Sequence, residues 1–211
     1  MIHELRTYTV RQMTLPQMIN DSATVSRPIR KDDYGKLEGY WSTEIGPLNQ
    51  VMHLWSYADL NERMRLRAEL AKNPRWTQEY LPLHRDILLR QEVRFLTPVV
   101  GPVAPAETPN VYEFRRYRTR PGGVRPWVAL LQKILPVREK YSKIVGLWIT
   151  EAPEGHEACH IWAYKDLNHR AQVRAAAVAD PEWQAFLKES APLLDDMHST
   201  IMLPAPHSPL Q

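Results

Sequence analysis

Chemistry in this 211-residue chain begins with two alternating triplets, Glu4-x-Arg6-x-Tyr8 and His53-x-Trp55-x-Tyr57. Alternate residues of a strand share one face, so each triplet presents its groups together. An arginine can hold a carboxylate, and a histidine can move a proton because its ordinary pKa lies near neutrality. Tyrosine and tryptophan offer flat walls. Both triplets recur, as Glu113, Arg115, Tyr117 and as His160, Trp162, Tyr164. The candidate ligand-binding residues are therefore Arg6, Tyr8, His53, Tyr57, Arg115, Tyr117, His160 and Tyr164, with His53 and His160 as the candidate catalytic bases. A purely architectural role competes with this reading. Glu4–Arg6 and Glu113–Arg115 would then be buried ion pairs, and the aromatic rings would be core. Leaving a buried charge unpaired costs roughly 3–5 kcal/mol, so partners are expected either way.

Other motifs carry less. His156-Glu157-Ala158-Cys159-His160 matches H-E-x-x-H, but that zinc pattern needs a helix to bring both histidines to one face. Here it follows a Pro-Glu-Gly turn into a strand, where four residues span about 13 Å. No metal site is expected. Cys159, the only cysteine, precludes an internal disulfide and points away from its neighbour His160, so a buried, inert thiol is expected. With no glycine-rich phosphate loop and no G-x-S-x-G elbow, no cofactor is expected either.

The elements that position these groups follow from an internal repeat. Residues 39–63 align without a gap to residues 146–170, an offset of 107, with 11 of 25 positions identical. In each half, strands are expected at 2–10 and 111–119, at 37–44 and 144–151, at 50–57 and 157–164, and at 91–97 and 198–203. A helix follows the first strand, at 15–33 and after Gly122-Gly123, each with a late proline, Pro28 and Pro136, where it should kink or break. A second helix starts at the caps Asp59 and Asp166 and restarts at Asn73-Pro74 and Asp180-Pro181. Glu62 completes a capping box in the first copy. Its charged residues, Arg65 and Arg67 among them, suit a solvated face.

The order β-α-β-β-α-β is ferredoxin-like, an α+β arrangement with helices on one face of a sheet. The chain reads as a first repeat at 1–97, a linker at 98–110 stiffened by Pro98, Pro102, Pro105 and Pro109, a second repeat at 111–203, and a tail at 204–211. Two such sheets packed face to face make an α/β barrel with helices outside. If Leu5, Met52 and Leu54 point to the helices, the polar triplets point into the barrel.

Composition is that of a folded protein, 44% hydrophobic and 24% charged, with net charge +3. Basic and acidic residues interleave, which argues against specific nucleic-acid binding. There is neither a signal-like N-terminus nor an apolar run near 18 residues, so no membrane insertion and a cytoplasmic location are expected. Homo-oligomers are expected of exposed helices on such sheets.

The GYW-x-TE block (GLW-x-TE in its second copy), the H-[LI]-W-x-Y-x-DLN-x-R signature and the E-[LF]-R-x-Y opening strand together resemble the NIPSNAP family. The resemblance implies the dimeric α/β barrel architecture, here with both repeats in one chain. It implies little chemistry: some relatives are associated with organelle quality control and vesicle-related roles. The expectation is a protein that binds a small anionic or aromatic molecule inside the barrel. The alternatives are a cofactor-independent oxygenase-type enzyme in the same pocket, and a scaffold or adaptor whose barrel is solid.

Overall fold

The computed structural model describes residues 1–108 and 110–211; Pro109, counted above among the linker prolines, lies outside them. Each repeat has the expected order. The first contains β1 (Ile2–Val10), α1 (Leu15–Asp21), α2 (Arg27–Arg30), β2 (Lys36–Ile45), β3 (Gln50–Tyr57), α3 (Leu60–Leu70), α4 (Leu81–His84) and β4 (Leu88–Val100). The second contains β5 (Val111–Thr119), α5 (Val124–Arg138), β6 (Ile144–Ala152), β7 (Glu157–Tyr164), α6 (Leu167–Ala179), α7 (Pro181–Ser190) and β8 (Leu194–Pro204). The fold is α+β, and the eight strands close as a barrel in the order β1-β3-β2-β8-β5-β7-β6-β4. By compactness the chain forms two units, residues 1–96 with 203–211, and residues 97–202.

Several boundaries differ from expectation for local reasons. β4 continues through Pro98 to Val100, so the first three residues of the expected linker are strand. The tail is held on the first unit: the Ala205 N–H donates to the Tyr40 carbonyl, and the Tyr40 N–H donates to the Ser208 hydroxyl. Pro136 does not break α5, which ends two residues later at Arg138. In the first repeat the irregularity comes before Pro28, as a π-turn over Ser22–Ser26 between α1 and α2. A π-turn holds one extra residue. It absorbs one of the two residues by which the first repeat is longer here, since Arg6 maps to Arg115 at an offset of 109 and Pro28 to Pro136 at 108. A second π-turn, Trp76–Tyr80, stands where α7 is regular.

The second helices begin as expected. Asp59 accepts from the Glu62 N–H at 2.8 Å and Asp166 from the His169 N–H at 2.7 Å. The Glu62 side chain reaches back to the N–H of Ala58, one residue before the cap, rather than closing the expected box on Asp59.

The repeated Gly-x-Trp has a packing cause. Gly39 and Trp41 share a strand face, and the indole lies across the glycine. A Cβ on Gly39 would sit 2.0 Å from the Trp41 ring, and one on Gly146 would sit 2.1 Å from Trp148. Both tryptophans are buried. Each glycine also follows a β-bulge, at 37–39 and 144–146. Gly146→Ala should therefore cost about 1–3 kcal/mol through overpacking. Gly101→Ala, with nothing within 4 Å, should stay within about 0.5 kcal/mol of wild type. Urea denaturation measures both. Equal midpoints would show that the glycine does not seat the indole.

Candidate functional site

In each unit the polar strand face is turned to that unit's helices. Arg6, Tyr8, His53 and Trp55 line a cavity of about 450 Å³ together with Met18, Ser22, Ser26 and Arg30 from the first helical segment and Arg67, Trp76 and Tyr80 from the second. Arg115, Tyr117, His160 and Trp162 line one of about 240 Å³ with Trp127, Leu131, Arg138, Arg174, Trp183 and Phe186. This corrects the expected orientation. The triplets do not point into the barrel; they point to the helices, and Leu5, Met52 and Leu54 are buried on the opposite face. The reason is that the counter-groups lie on the helices, where the sequence reading placed only apolar stripes and solvated charge.

Glu4 shows how this works. It is buried on β1 and receives Arg6 from its own strand and Arg63 from α3, the latter at 2.7 Å. Glu113 on β5 has no solvent exposure. It accepts from Arg170 at 2.7 Å, Ser199 at 2.6 Å and Tyr164 at 3.2 Å, with Arg174 at 3.5 Å and Arg115 at 3.8 Å. Burial pushes the Glu113 carboxyl up, but the Arg170 hydrogen bond and the neighbouring guanidinium charges bring it down to about 2. The arginines of the D-L-N-x-R segments, Arg63 and Arg170, thus tie the second helix of each repeat to its first strand.

Arg30 and Arg138 are different. Arg30 is 3% exposed, lies 3.2 Å over the Trp55 ring and donates to the Tyr34 carbonyl and the Tyr57 hydroxyl. No carboxylate among the described residues bonds to it, and its Nε has no partner. Burial pushes its pKa down to about 10. Arg138 lies 4.5 Å over Trp162 and donates to Ser142 at 2.8 Å. Neither cavity has an aspartate or glutamate among its described lining residues.

The two histidines share one arrangement. The Trp55 indole N–H donates to His53 Nδ1 at 2.5 Å, and that of Trp162 donates to His160 Nδ1 at 2.7 Å. An indole nitrogen can only donate, so Nδ1 must be unprotonated, and a neutral ring then carries its hydrogen on Nε2. Burial, followed by the charges of Arg6 and Arg115 respectively, holds both histidines well below their ordinary pKa. His160 Nε2 is buried without a partner. Each histidine therefore presents an N–H donor; its one lone pair is occupied by tryptophan. Tyr8 and Tyr117 close on the imidazoles edge-on, at 4.7 and 4.8 Å.

Six of the eight residues singled out from the sequence thus gather in two cavities. Tyr57 and Tyr164 do not: both are buried behind the walls, bonded to Arg30 and Glu113. The sequence reading missed Arg30, Arg138 and Arg174, and it assigned Arg67 to a solvated face. Arg67 and Arg174 share the 107-residue offset, a signal that could have found them. Cys159 is buried on the sheet face opposite His160, near Thr150 and Glu157.

Glu113 carries a pH-dependent stability with a definite sign. Its folded pKa of about 2 lies below the ordinary 4.5, so its contribution is complete above pH 4.5 and is lost as pH falls through about 2. Glu113→Gln should lower stability near neutrality by roughly 3–5 kcal/mol, and the gap to wild type should narrow steadily below pH 4.5. Denaturation series across pH measure this; a gap that does not change with pH would contradict it.

Comparison with known proteins places the chain. The NIPSNAP family model matches residues 3–101 and again 112–209. Protein NipSnap homolog 2 of Homo sapiens is 30% identical over 180 residues, covering 83% of this chain and 62% of that protein, so the chain spans under two thirds of this relative's length. Protein NipSnap homolog 1 of Danio rerio is 29% identical over 220 residues, covering all of this chain and 77% of the relative. Among solved structures, an anthrone oxidase-like protein covers 96% of this chain and 90% of its own at 10% identity, with a TM-score of 0.68, a likeness of fold alone. Among the described residues no helix is long and apolar enough to cross a membrane. Matched by the family model in both halves, and 30% identical to a NipSnap relative over most of its length, the chain belongs to the NIPSNAP family.

Proposed function

We propose that each repeat binds a small carboxylate-bearing molecule in the cavity between its sheet and its helices, with the arginines and the histidine N–H as hydrogen-bond donors to the anion. The observation that carries this reading is the buried guanidinium of Arg30, stacked on Trp55, which has no carboxylate partner among the described residues. Burying a cation is costly unless an anion completes it. Arg138 over Trp162 repeats the arrangement. The aromatic walls suit a flat body, and the first cavity, at about 450 Å³, lies within the range usual for small-molecule sites, roughly 300–1,000 Å³. The second, at about 240 Å³, suits a smaller ligand.

Open cavities weigh against a filled scaffold. The histidine tautomer weighs against the enzyme alternative in which His53 or His160 acts as general base, because a base needs a free lone pair facing the substrate. As N–H donors the same residues fit anion binding.

Benzoate, with its neutral isostere benzamide as control, tests the reading. A ligand at about 100 times its Kd adds about 2.7 kcal/mol to folding stability. Benzoate should therefore raise the melting temperature of the wild-type protein by several degrees, and benzamide should not. The gain should disappear in Arg30→Gln/Arg138→Gln. Equal responses to the two compounds, or none from a panel of carboxylates, would refute carboxylate binding.

A further inference from the structure

The two cavities descend from one repeat yet differ in polarity: at Met18/Trp127 the second gains an indole N–H, while at three other places it loses a polar group. Equivalent positions follow from the registers and the π-turns. Tyr8 pairs with Gln91 on β4, and Tyr117 pairs with Met197 on β8, so Met197 stands where the first repeat has Gln91. Trp76 packs on Tyr80 at 4.4 Å, and Trp183 on Phe186 at 4.7 Å, so Phe186 stands where the first has Tyr80 once the extra residue of the π-turn is removed. Ser22 maps to Leu131 at the offset of 109 that also relates Arg6 to Arg115. All six residues line their cavities. At three places on the wall, a hydroxyl or amide of the first cavity is a hydrocarbon or thioether in the second, while the arginines, the histidine and the Trp55/Trp162 ring are kept.

On the reading that both cavities bind carboxylates, we propose that the two sites take different ligand classes. The second-repeat site takes an aryl or alkyl monocarboxylate with an unbroken apolar body. The first-repeat site takes a carboxylate whose body carries hydroxyl groups. A ligand hydroxyl facing Leu131, Phe186 and Met197 meets no hydrogen-bonding group on those side chains, whereas Ser22, Tyr80 and Gln91 each carry one. Met197 and Leu187 are exposed at the mouth of the second cavity, so its opening is apolar as well.

Two isosteric probes separate polarity from size: 3,4-dimethylbenzoate and 3,4-dihydroxybenzoate. In full-length protein with 15N-labelled indoles, Trp76 reports the first site and Trp183 the second, assigned by single Trp→Phe variants. The Trp183 resonance should titrate with the dimethyl acid at about tenfold lower concentration than with the dihydroxy acid, and Trp76 should show the opposite order. Leu131→Ser/Phe186→Tyr/Met197→Gln should reverse the order at Trp183 and leave Trp76 unchanged. The same order at both indoles in the wild-type protein would overturn the division of ligands while leaving carboxylate binding in place. No response of either indole to any carboxylate would overturn both.

Discussion

One buried carboxylate on the first strand of each repeat organises the rest. Glu4 and Glu113 cannot be left alone away from water, and a carboxylate buried without partners would take up a proton instead. Each is met by an arginine two residues along its own strand and another from the start of the second helix. That pairing fixes the helix over the polar face of the sheet. It also makes the helix-facing layer a place where buried charge is tolerated. With Arg30 and Arg67 in one unit, and Arg138 and Arg174 in the other, each repeat gathers four guanidiniums around a single carboxylate. The excess positive charge is what an incoming anion would neutralise.

Tryptophan serves this layer in two ways. Trp55 and Trp162 spend their N–H on histidine and their ring face on arginine, so one side chain sets an imidazole tautomer and holds a guanidinium flat. Trp41 and Trp148 lie across glycine. These are packing roles, duplicated because each repeat must solve the same problem. Three of the many positions where the repeats diverge, Ser22/Leu131, Tyr80/Phe186 and Gln91/Met197, fall on the cavity walls.

Much of the fold was legible in the sequence because the repeat made every element visible twice. Strand periodicity, the Asp59 and Asp166 caps and the Asp180-Pro181 restart all have local causes, and local chemistry is what a sequence displays. The face of the sheet that meets the helices was not legible. Alternation groups Glu4, Arg6 and Tyr8 together, but it does not say which face is which. The usual rule, apolar side toward the helices, fails here because Arg30, Arg63 and Arg67 supply polar partners from the helices themselves. Those arginines sit on helices of mixed composition, where a charged residue ordinarily reads as solvated. The π-turns were equally hidden, since one extra residue in a helix has no signature in residue type. They became visible only as a drift in the repeat offset.

The central claim is that the cavity between sheet and helices in a repeat is a receptor for a carboxylate. Diffraction from crystals soaked with 4-bromobenzoate addresses it directly, because bromine scatters anomalously and marks the ring. The account predicts an anomalous peak between strands and helices within a repeat, beside Trp55 or Trp162, with the carboxylate within hydrogen-bond distance of Arg30 or of Arg138 and His160. Bromine found only elsewhere, with both cavities holding ordered water around unpaired arginines, would contradict it.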